Sequence, residues 1–180
     1  SGIVAEYVLS TLATYFLGNS VFQWTMIVSI MLFSMGLGSR FSKYLEDKLL
    51  EKFIFIEFVL SLLVAFVSVI TYLSAALIGV EAIVIYSLSI IIGLMIGMEI
   101  PLVIRINDEY QTLRLNISSA MENDYYGSLL GGMFFAFVGL PYLGLSYTPF
   151  ILGSINLVVA LTLFVLLKNE VSTGQFKKLI

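Results

Sequence analysis

Long apolar stretches alternate along the chain with short polar breaks, and that pattern predicts helices that cross a membrane. A helix needs about 20 residues to traverse the hydrocarbon core. Six spans follow, at 1–17, 21–38, 53–79, 82–104, 124–145 and 147–167. The first is slightly short and ends at Gly18-Asn19-Ser20. The run from Phe53 to Ile104 is too long for one crossing, and Glu81 is the charge that divides it. Two breaks are longer. RFSKYLEDKLLEK (40–52) mixes both signs and reads as a short helix along the headgroups or a solvated connector. In the other, Ile106, Tyr110, Leu113, Ile117 and Met121 recur at helical spacing, which predicts an interfacial amphipathic helix leading into the fifth span. Ser119-Ala-Met-Glu122 fits a capping box there. The predicted fold class is an all-α integral membrane protein, a six-transmembrane-helix bundle.

Composition agrees. Of 180 residues, 59% are hydrophobic and only 12% charged, and the mean hydropathy is +1.03. A soluble domain of this length carries about twice that share of charge. Charge then orients the bundle. Arg40, Lys43, Lys48, Lys52, Arg105, Arg114, Lys168, Lys177 and Lys178 all fall on one side of the six-span reading. The positive-inside rule places that side, and both termini, in the cytoplasm, and the predicted location is the bacterial inner (cytoplasmic) membrane. Trp24, Tyr72, Tyr86, Tyr142 and Tyr147 fall near the outer interface, as an aromatic belt would. There is no cysteine or histidine, so thiol and imidazole chemistry and the usual zinc ligand sets are excluded. No cofactor is expected in this chain. A net charge of −3 without a basic patch argues against nucleic acid.

The chemistry left is acidic. Glu6, Glu57, Glu99 and Asp124 lie within or just inside spans, all in the predicted cytoplasmic half. Acids inside a membrane segment are costly and point to a site. Glu99 is roughly 9 Å along its helix from Arg105. Gly93 and Gly97 form a small-xxx-small seam, and Glu99 lies about 160° around the helix from Gly97. The fourth span therefore needs two buried faces, which predicts a central helix. Pro101 leaves the Gly97 carbonyl without its usual donor. Asp124 shares a stripe with Gly127 and Gly131, a packing face that predicts an inward-pointing acid. Glu6 lines up with Ser10 and Ala13, and Glu57 with Ser61 and Ser68. Each acid has a plainer reading as a headgroup contact or a bridge to Arg40 or Arg105. Asn156, mid-span, reads as an interhelical hydrogen bond. Converging acids would prefer a metal cation, an organic cation or protons.

Several stretches carry a family resemblance. They are Ser1-Gly2 with Glu6, Leu17-Gly18, Met35-Gly-Leu-Gly-Ser39 and Gly97-Met-Glu-Ile-Pro-Leu102. Asp124-Tyr125 with Gly127, Leu129 and Gly131, Leu140-Pro141 with Leu143-Gly144, and Asn156 complete the set. In order and spacing the chain resembles the membrane domain of membrane-bound spermidine synthase-like proteins, a half major-facilitator-type unit fused to an aminopropyltransferase. Ala5 stands where that family has Tyr before the first acid, with Tyr7 after it. The resemblance implies a parent protein that transfers aminopropyl groups to putrescine-like amines. It also implies that 169–180 is a cytoplasmic tail or linker to a synthase domain absent from this sequence.

The leading functional expectation is a domain that binds or passes a polyamine at a cytoplasm-facing acidic pocket, with Glu6, Glu57, Glu99 and Asp124 as carboxylate partners. A second is a membrane anchor that forms a homodimer through the Gly93/Gly97 and Gly127/Gly131 faces. A third is a half-transporter acting as a dimer. In none of these is this chain itself catalytic.

Overall fold

The computed structural model describes residues 2–46, 48–77, 79–107 and 113–172. All regular structure among them is helical: α1 (Gly2–Leu17), α2 (Ser20–Ser42), α3 (Leu49–Leu77), α4 (Glu81–Ile106), α5 (Leu113–Phe134), a π-helical segment (Phe135–Leu143) and α6 (Gly144–Ser172). Four helical stretches are long and apolar enough to cross a membrane: Ser20–Ser42, Leu49–Leu77, Glu81–Ile106 and Leu115–Val165. Gly2–Leu17 is apolar but shorter.

The fourth stretch folds back on itself. Thr148 Oγ1 donates to the Gly139 carbonyl at 2.8 Å, whereas nine residues of straight helix span about 13 Å. The reversal falls at Gly144, whose φ of 67° suits a residue without Cβ. Proline explains the chain on either side. Pro141 has no N–H for the helical ladder and lies inside the π segment. Pro149 lies in α6 and leaves the carbonyl of Leu145 without its donor. The Ser68 hydroxyl of α3 takes that carbonyl, at 2.5 Å.

Apolar burial cannot choose partners inside hydrocarbon, because lipid tails are as apolar as leucine. Close packing and hydrogen bonds choose them. The tightest seam is α2 on α4. A Cβ on Gly38 would run into the Leu94 carbonyl, one on Gly97 into the Met35 carbonyl, and one on Gly93 would come within 2.9 Å of Ser34 Cβ. The two helices run parallel in one register. Tyr86 OH donates to Gln23 Oε1 at 2.7 Å, Arg105 Nη1 donates to the Ser42 carbonyl at 2.9 Å, and both bonds join residues 63 apart. A second seam joins α3 to an antiparallel α6. There Gly153 leaves no room for a Cβ against Ala65 and the Ser61 carbonyl.

α1 fills the middle. Val4, Val8, Leu9, Leu12 and Ala13 are buried, and α1 touches α2, α3, α4, α5 and α6. α4, expected to be central, touches α1, α2, α3 and α5 and shares the middle with the short first helix. Asn19 caps α2 by accepting from the Phe22 N–H at 3.3 Å, and with Gly18 it returns the chain so that α2 runs antiparallel to α1.

Other expectations need correcting. No separate headgroup helix forms at 40–52, because α2 runs on to Ser42 and α3 begins at Leu49. α5 begins at Leu113, so the amphipathic stretch and the predicted fifth span are one helix, and Ser119 lies inside it rather than at its cap. Trp24 packs on Tyr7 (5.5 Å between centroids), and Tyr72 packs on Phe16 (5.2 Å). Tyr142 and Tyr147 remain exposed. Tyr110 and residues 173–180 lie outside the described residues.

Candidate functional site

Glu99 lies in α4, half-buried, and its Oε1 is fully buried with no hydrogen-bond partner among the described residues. Its position follows from the α2 seam. Gly97 and Gly93 turn one side of α4 onto α2, and Glu99, two residues past Gly97, points elsewhere. Glu57 in α3 and Asp124 in α5 are near enough for their charges to act on Glu99. Glu57 is half-buried, and Ser61 Oγ donates to its backbone carbonyl at 2.6 Å, which leaves its carboxylate free of that contact. Three acids on three helices therefore lie toward the same end of the bundle.

Glu6 does not join them. It is half-buried on α1, and no charged group among the described residues acts on it. Asp124 departs from expectation in another way. It is exposed rather than turned inward, and its stripe packs only in part. Gly131 meets Val4 and Ile3, while a Cβ on Gly127 would meet nothing within 4 Å.

Arg40 and Arg105 do not pair with these acids. Arg105 donates to the Ser42 carbonyl at the end of α2, which also accepts the Leu45 N–H at 3.0 Å. Arg40 is exposed, and the one ion pair among the described residues is Lys48–Glu51 at 3.2 Å on the surface. Among the described residues no group of three His, Cys, Asp or Glu could hold a metal ion.

Two contacts escaped sequence reasoning. Asn116, legible in sequence only as part of a glycosylation sequon, is 2% exposed, and its Nδ2 donates to the Ile104 carbonyl at 2.7 Å. It ties the start of α5, which carries Asp124, to the end of α4, which carries Glu99. The Gln23–Tyr86 bond is the other. Either could have been suspected only as a polar residue on an otherwise apolar helix face. Asn156, expected to bond between helices, is half-buried on α6.

A buried carboxylate without a counter-charge is unfavourable. Gathering three acids makes one end of the bundle attractive to a cation or a proton.

No family model matches the chain, and no solved structure matches it. Comparison with curated proteins finds relatives. The chain is similar to part of several polyamine aminopropyltransferases, which is the likeness to spermidine synthase-like proteins. It is 50% identical over 171 residues to polyamine aminopropyltransferase 2 of Aquifex aeolicus, covering 94% of this chain and 35% of that protein. It is 41% identical over 160 residues to the polyamine aminopropyltransferase of Leptospira interrogans, covering 89% and 32%. It is 37% identical over 173 residues to that of Oceanobacillus iheyensis, covering 94% and 34%. The chain spans about a third of the length of these relatives.

Proposed function

We propose that this chain is the membrane-embedded part of a spermidine synthase-like protein and that its acidic end holds an amine for a synthase domain. Glu99 is the principal carboxylate, Glu57 and Asp124 flank it, and Glu6 contributes little. The observation that carries the reading is the buried, unpartnered Glu99 Oε1 with two further acids acting on the same carboxylate. The relatives' names supply the substrate class, a polyamine or its diamine precursor. In this reading the chain crosses the bacterial inner membrane six times. The α5–α6 hairpin counts as two crossings, the termini lie inside, and the acids face the cytoplasm, where the basic residues cluster.

Calorimetric titration of putrescine and spermidine onto the chain in lipid nanodiscs tests this. Binding is expected in the wild type, weakened about tenfold or more in Glu99→Gln, which is about 1.4 kcal/mol. A smaller loss is expected in Asp124→Asn and little change in Glu6→Gln. No binding in the wild type, or equal binding in Glu99→Gln, would sink the proposal. The homodimer reading has less to stand on, because Gly93, Gly97 and Gly131 are already occupied within the chain.

A further inference from the structure

The first half of α5 stands off from the rest of the bundle. Every residue from Met121 to Gly127 is exposed. That stretch carries a helix nearly twice around its axis, so every side of it is open. A Cβ on Gly127 would meet nothing within 4 Å. Anchors lie on either side of the stretch. Asn116 bonds to the Ile104 carbonyl, and Gly131 lies against Val4 and Ile3 of α1. From 116 to 131 a straight helix runs about 22 Å. The anchors differ less in height, because Gly2 of α1 lies against Ile96, only about 12 Å up α4 from Ile104. α5 therefore leans across the bundle from one anchor to the other.

The composition of the stretch suits neither lipid tails nor water. Glu122, Asn123 and Asp124 are costly in hydrocarbon. Met121, Tyr125 and Tyr126 leave large side chains uncovered, with Tyr125 at 64% and Tyr126 at 59% exposure. Tyrosine and methionine are enriched where proteins meet, with polar residues around them. The charge is one-sided as well. No Lys or Arg occurs between Leu115 and Val165, and the one ion pair among the described residues is elsewhere, at Lys48–Glu51. Two exposed acids without a basic neighbour on their own helix select a basic partner surface.

We propose that this stretch of α5 docks the synthase part of the parent protein, which meets it with a basic surface. The proposal rests on the reading above of this chain as the membrane-embedded part of a longer protein. The chain covers 35%, 32% and 34% of three relatives, so the greater part of each lies outside it. Chain direction puts that part within reach. α6 runs antiparallel to α3, with Leu145 at Ser68 and Gly153 at Ala65. It therefore finishes at the end of the bundle where α3 begins, α4 finishes and α5 begins. Docking beside Asp124 sets the synthase part against the same end of the bundle as Glu99.

The test uses the full-length protein in its native membranes. A photo-crosslinking residue, p-benzoylphenylalanine, replaces Tyr126 or, as a control, the exposed Phe33 of α2. Tyr126, Phe33 and Glu122 are all exposed, so these changes leave the packing intact. Peptide mass spectrometry on mixed isotopically light and heavy protein separates contacts within one chain from contacts between copies. The Tyr126 position is expected to crosslink to the synthase part of its own chain several-fold more than the Phe33 position does. Glu122→Lys should lower that yield several-fold. Lipid adducts alone, crosslinks only between copies, equal yields from the two positions, or an undiminished yield in Glu122→Lys overturns the docking. Putrescine titration of the same protein in nanodiscs reads amine binding separately. Amine binding without the crosslink overturns the docking alone, and the crosslink without amine binding upholds the docking while the amine reading falls. A native protein no longer than this chain overturns both.

Discussion

The α2–α4 seam and the α5 helix are built on opposite principles. In the seam, backbone meets backbone: Gly38, Gly93 and Gly97 admit the facing helix so closely that any side chain would collide. In α5, every residue from Met121 to Gly127 is exposed, and Gly127 has open space beside it. Glu99 belongs to the first region and Asp124 to the second. A rigid seam therefore presents one acid, and a loosely packed helix brings another toward it.

The comparison can be broken most severely at Gly97. Gly97→Val forces a branched side chain into the Met35 carbonyl and should cost about 3 kcal/mol or more in a reversible unfolding titration in mixed micelles. The site comes next. The loss of amine affinity in Glu99→Gln should exceed that in Asp124→Asn, because only Glu99 is held by the seam; the reverse order would make α5 the organising wall. Removing the Ser68 hydroxyl leaves the Leu145 carbonyl unpaired, and Ser68→Ala should cost about 1 kcal/mol. Ala in place of Pro149 restores a backbone N–H and should make the Ser68→Ala cost smaller, measured as a double-mutant cycle. Smallest is Gly127→Val, which should change stability by less than about 0.5 kcal/mol. A large loss there would show that α5 is packed against something in the membrane.

Much of this architecture is readable in the residues. Gly93 and Gly97 announce a close seam because four-residue spacing puts both on one side of a helix, and Gly18-Asn19 announces a turn. The reversal at Gly144 falls where the break between the fifth and sixth spans was expected. What escapes is partner choice at long range. Arg105 was read as a possible partner of an acid, yet it donates to the Ser42 carbonyl at the end of α2, a matter of register between residues 63 apart. The start of α5 was misplaced because a polar face does not end a helix. No glycine or proline interrupts the chain between Leu113 and Gly127, so the helix continues through the apparent cap at Ser119. The π segment is invisible for a similar reason, since Pro141 predicts a disturbed ladder without saying how it is absorbed. Of the four acids, spacing could name them all, but only packing separates Glu6 from the other three.

The account turns on Glu99 as the carboxylate that meets an amine. A lipid-soluble carbodiimide applied to the chain in membranes, followed by peptide mass spectrometry, reads that directly. The account predicts labelling of Glu99 that putrescine or spermidine suppresses in a concentration-dependent way, while labelling of Glu6 does not respond. Labelling of Glu99 that neither amine alters, or suppression confined to Glu6, would contradict it.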